Sequence, residues 1–159
     1  MTKIKNPLII FINEHTELLD NLRKLNNINQ AIKNYGFTGK SLKALDDVLK
    51  KLDHEISYHN KLEEIALFPV LEKYVEGPTI LLKEEHKLMQ KSFKRLHSVI
   101  RKSKKENVNS VHFDELTLSI GEVIQVFVNH IHKENYILFP LLNRFFTTDE
   151  LNKIAKKMF

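Results

Sequence analysis

The sequence predicts an all-α protein, an up-down-up-down antiparallel four-helix bundle with a short C-terminal fifth helix, on three observations. The chain of 159 residues holds only four glycines. Its apolar residues recur at helical spacing over long stretches instead of alternating as in strands. It also repeats itself at an offset of 71 residues. Apolar residues make up 42 % of the chain, enough to fill one continuous core, so the expectation is a single domain over residues 1–159.

The elements follow from their punctuation. Asn6-Pro7 offers an N-cap followed by proline at the first helical position, and the first helix runs from there to about Asn34. Tyr35-Gly36-Phe37-Thr38-Gly39 reads as a turn, and the second helix covers about Ser41 to Val75. Gly77-Pro78 opens a third helix in the manner of the first, ending near Lys104. The polar segment Lys105 to Ser110 makes the next loop, and the fourth helix covers roughly Val111 to Phe146. Thr147-x-x-Glu150 is a capping-box pattern that starts the short fifth helix. Pro69 lies inside the second helix and marks a kink there.

Sliding the chain by 71 residues places Pro7 on Pro78, Ile9 on Ile80 and Glu14-His15 on Glu85-His86. It places His59 on His130, Glu63 on Glu134, and Leu67-Phe68-Pro69 on Leu138-Phe139-Pro140. Each half, about residues 6–75 and 77–146, is then a helical hairpin that cannot bury its own apolar stripe. Two of them pack as a bundle with pseudo-twofold symmetry.

Composition removes several classes of function. With no cysteine there is no disulfide, no thiolate ligand and no cysteine nucleophile, so any metal chemistry must use nitrogen and oxygen donors. The one short apolar run near the amino terminus, Leu8 to Ile12, is followed by Asn13-Glu14-His15 and lacks the features of a signal peptide; no stretch is long enough to span a membrane. The expected location is cytoplasmic. The net charge of +5 comes from dispersed lysines without an interleaved aromatic platform, which argues against a nucleic-acid partner.

The repeated histidines and glutamates carry the chemistry. Residues four apart share a helix face about 6 Å apart along the axis, so His59 with Glu63, and His130 with Glu134, each project an imidazole and a carboxylate the same way. His15 lies as far before the end of its helix as His59 lies after the start of the next, which puts the two level; His86 and His130 pass the same test. Glu63 and His86 match less well across the junction of the halves. The expected metal ligands are therefore His15, His59, Glu63, His86, His130 and Glu134, as two triads. Four imidazoles and two carboxylates suit iron, manganese or zinc, with the carboxylates able to bridge two ions and octahedral ions keeping open positions.

His59-x-x-x-Glu63-Glu64-x-x-Leu67-Phe68-Pro69 and His130-x-x-x-Glu134-x-x-x-Leu138-Phe139-Pro140 resemble the paired signatures of the hemerythrin-like, or HHE cation-binding, family over nearly the whole chain. The resemblance implies two non-heme iron ions bridged by Glu63 and Glu134, with an oxo, hydroxo or water bridge, and dioxygen or another small diatomic or peroxide as ligand. Oxygen carriers of that family have a fifth histidine four residues beyond the third-helix one; here that position is Gln90, whose repeat partner is Leu19. This moves the expectation from a carrier toward a protein that binds or senses dioxygen or redox state. The alternative is a di-iron enzyme or protective protein acting on peroxide or nitric oxide, or in iron handling and iron-centre repair. Glu55, Tyr35 and Tyr58 are weaker candidates for the site, and His54, His97, His112 and His132 have no repeat partner and are read as surface or outer residues.

Overall fold

Asn6 starts the first helix: its side-chain oxygen accepts the Leu8 N–H at 3.0 Å, and Pro7 follows where no N–H is needed. The computed structural model describes residues 6–105 and 110–159. Helix α1 is Pro7–Tyr35 and α2 is Gly39–Leu62. They are joined at Gly36, whose φ of 87° lies in the left-handed region that favours glycine. Thr38 and Ser41 form a reciprocal capping box at the start of α2. After α2 come a π-helical turn over Glu63–Leu67 and the short α3, Phe68–Leu71. Helices α4, Gly77–Lys105, and α5, Ser110–Lys133, make the second hairpin, continued by a π-helical turn over Glu134–Leu138 and α6, Phe139–Phe145. Helix α7, Thr148–Met158, begins at the Thr147/Glu150 capping box. The loop expected over Lys105 to Ser110 falls mostly outside the described residues.

The fold is all-helical among the described residues, and α1 against α2, α4 against α5 and α1 against α5 make the principal antiparallel contacts of the bundle. No helix among these residues is long and apolar enough to cross a membrane.

Paired π turns stand where a simple kink is expected at Pro69, and the prolines explain them. Pro69 and Pro140 have no N–H to give the preceding turn, and their rings would crowd the carbonyls of Ile65 and Tyr136 in a regular α-helix. The helix widens instead: the Phe68 N–H bonds to the Glu63 carbonyl, and the Phe139 N–H to the Glu134 carbonyl. Each turn therefore begins at the glutamate singled out above. The wider turn also lets Ala66, Leu67 and Phe68, three successive residues, all face the core. Because α3 stops at Leu71 instead of Val75, Glu63 lies eight residues before that end and His86 nine after the start of α4, and the mismatch across the junction disappears.

Two apolar clusters fill the bundle. One contains Leu18, Leu22, Leu25, Leu45, Leu52, Ile56, Met89, Phe93, Leu96, Leu116 and Phe127. The other contains Phe11, Leu67, Phe68, Leu138, Phe139, Ile154 and Met158, with α7 closing that end. Along every long helix the chain passes from one cluster to the other through a histidine: Phe11, His15, Leu18 on α1, and Leu82, His86, Met89 on α4. The histidines and the two glutamates thus form a polar layer between two dry ones.

Candidate metal centre

All six residues are buried: His15, Glu63 and Glu134 are 0 % exposed, His59 1 %, His86 2 % and His130 2 %. Water is shut out, so these groups must satisfy one another or hold a cation. Their inner atoms converge. His59 Nε2 lies 2.7 Å and His15 Nε2 4.0 Å from Glu63 Oε1, while His86 Nε2 lies 3.2 Å from Glu63 Oε2. His130 Nε2 lies 2.7 Å and His15 Nε2 3.5 Å from Glu134 Oε1. His15 Nε2 and His59 Nε2 face each other at 2.9 Å. Two ligand groups result, His15/His59/Glu63/Glu134 and Glu63/His86/His130, with Glu63 in both. The two triads expected from the repeat are therefore interleaved: each glutamate reaches a histidine of its own half and one of the other.

The outer ring nitrogens explain why the inner ones converge. His59 Nδ1 contacts Glu14 Oε2 and His130 Nδ1 contacts Glu85 Oε2, both at 2.7 Å. His15 Nδ1 contacts Asn135 Oδ1 at 2.6 Å, and His86 Nδ1 contacts Glu64 Oε1 at 3.1 Å. A carboxylate or amide oxygen only accepts, so each Nδ1–H donates and each Nε2 lone pair is turned inward. Glu14 and Glu85 are repeat partners, as are Glu64 and Asn135, so this outer set is duplicated like the inner one. Successive helix residues point about 100° apart, so Glu14 cannot serve its neighbour His15 and instead reaches across the hairpin to His59. The signal in the sequence was the repeated Glu-His pair. Glu64 and Asn135 gave no such signal, because their side chains differ.

The donor set fits a metal. Glu63 Oε1 and Oε2, Glu134 Oε1 and Oε2, His86 Nε2 and His130 Nε2 are all buried and make no hydrogen bond. Lone pairs gathered at such distances repel unless a cation lies among them. Protons take that part in the metal-free chain. Burial alone would push His59 down, but the Glu63 carboxylate beside it, with the hydrogen bond to Glu14, outweighs it and raises the imidazole to about 10. His130 is likewise pushed down by burial and raised to about 10 by the Glu134 and Glu85 carboxylates beside it. Burial pushes Glu134 up, yet the imidazoles of His130 and His15 beside it hold it well below the usual carboxylate range.

The weaker candidates fall elsewhere. Glu55 accepts from Asn21 Nδ2 at 2.9 Å and lies outside both ligand groups. Tyr35 and Tyr58 are exposed, as are His54, His97 and His132; His112 is half-buried near the start of α5. Gln90 is exposed one turn beyond His86, at the rim of a cavity that reaches that histidine.

The fold and this layer of histidine and glutamate define a helical cation-binding protein. The chain matches the hemerythrin HHE cation binding domain over residues 6–142, and it belongs to that family. No curated protein matches the chain.

Proposed function

We propose that His15, His59, Glu63, His86, His130 and Glu134 hold two iron ions, with Glu63 and Glu134 bridging them, in a protein that binds or senses dioxygen or redox state. The observation that carries the dinuclear reading is the reach of the carboxylates: Glu63 offers one oxygen to His59 and the other to His86, and Glu134 approaches both His130 and His15. Iron suits a donor set of imidazole and carboxylate without thiolate. When bound, such a pair supplies a change of oxidation state and open positions for a small ligand.

The chain's own residues favour binding over turnover. Glu14, Glu64 and Glu85 are each engaged by a histidine Nδ1, a use that fits them to orienting the rings. Reduced, iron-loaded protein exposed to oxygen is expected to show a reversible change in its visible charge-transfer bands, with no sustained consumption of peroxide or nitric oxide. Steady-state turnover of either, lost in Glu63→Ala and Glu134→Ala, would replace this reading with the enzymatic one.

A further inference from the structure

The 71-residue repeat makes the seam between α2 and α4 the counterpart of the seam between α5 and α1, yet the two are built differently. Helices α1 and α5 pack closely, and Asn29 Nδ2 on α1 bonds to the Thr117 carbonyl on α5 at 3.2 Å. The backbones of α2 and α4 approach less closely, and a cavity of about 130 Å³ opens between them near His86. Its outer part is lined by exposed Ser57, Lys61, Glu64 and Gln90, and its floor by buried Met89, Phe93, Phe127 and the ring of His86. The repeat shows what was exchanged to make it. Ser57, Asn60 and Gln90 stand where the sealed seam has Val128, Ile131 and Leu19, all of them packed on the core.

Asn60 is the second, independent observation. It is 8 % exposed, it lines the cavity, and its Oδ1 is buried without a hydrogen-bond partner. A buried amide oxygen left so is unfavourable unless a hydrogen-bond donor in the cavity reaches it. At the same position the other half spends an isoleucine, which needs no partner. The rim carries both signs of charge, Lys61 against Asp53 and Glu64, so it does not select by charge.

We infer that the α2–α4 cavity is the entry and seat for the small ligand of the metal pair, on the His86 side only, for molecules of two or three non-hydrogen atoms. This rests on the metal reading above. Gln90, one helical turn beyond His86 on the same face, belongs to the mouth.

The test copies the sealed seam into the open one. With azide as the probe, stopped-flow binding to the metal-loaded S57V/N60I/Q90L variant is expected to slow about ten-fold or more, with metal content unchanged. Ser57→Phe, which plugs the exposed mouth while keeping the Asn60 amide, should slow it likewise, and Leu19→Phe on the sealed side should not. An unchanged rate in both plugged variants, or equal slowing by Leu19→Phe, overturns the inference while leaving the metal pair standing. A metal-independent readout separates the two readings: crystals pressurised with xenon should show xenon against Met89, Phe93 and Phe127 in the unmodified chain and not in Ser57→Phe. Absence of xenon there in the unmodified chain overturns the cavity as a seat, whatever the metal content.

Discussion

The two hairpins present the same ligands in the same order, and they differ most at the seams where they meet. His15, His59 and Glu63 are matched by His86, His130 and Glu134, and the outer carboxylates Glu14 and Glu85 match as well. The outer partners of the remaining pair do not, since His15 faces the Asn135 amide and His86 the Glu64 carboxylate. The seams differ further, one closed by apolar side chains and the other opened by polar ones. The lesson is that a pair of ions needs matched donors, whereas access from solvent needs only one door.

Measurements on the outer partners sharpen that comparison most. Glu14→Gln and Glu85→Gln remove the carboxylates that fix His59 and His130, and each is expected to weaken metal binding by about 10–100-fold, equally in the two halves, in competition with a chelator. Glu64→Gln should cost less, because Glu64 is more exposed than Glu85 and its contact with His86 is longer, at 3.1 Å against 2.7 Å. Equal losses at Glu64 and Glu85 would contradict the asymmetry.

A smaller effect tests the matched part. His59 and His130 are both raised to about 10, so near neutral pH the metal-free chain carries a proton on each that a metal ion must displace. Loading metal at pH 7 to 8 should release about two protons per chain from this pair, measured in weak buffer. The sign for stability follows from linkage. The folded value lies above the unfolded one of about 6.5, so the contribution is fully present below pH 6.5 and is lost as the pH rises through about 10. Metal-free protein should therefore unfold more readily at pH 10 than at pH 6.5 in urea titrations, and metal-loaded protein should gain relative to it over the same range.

Much of the fold was legible because the signals were local. Asn6-Pro7, the turn at Gly36 and the Thr147/Glu150 box mark helix ends by chemistry that acts within four residues. The six inner residues were legible because duplication doubled each of them. What was missed depends on tertiary packing or on unlike partners. Pro69 signalled a kink, but a π turn placed at Glu63 requires knowing how the helix relieves it. The early end of α3 at Leu71 brought Glu63 and His86 level, which the longer helix expected from sequence did not. Asn60 carries no signal in the sequence; only the open seam shows that its amide oxygen is buried and unpaired.

The most direct test of two ions sharing Glu63 is a count of metal per chain, by elemental analysis of protein purified under native conditions, for the unmodified chain, Glu63→Ala and Glu134→Ala. Glu63 offers a separate oxygen to each of the two ligand groups, whereas Glu134 meets His130 and His15 through Oε1 alone and is the weaker bridge. The account predicts two ions in the unmodified chain, close to none in Glu63→Ala, and an intermediate value in Glu134→Ala. One ion in the unmodified chain, or two retained in Glu63→Ala, would contradict it.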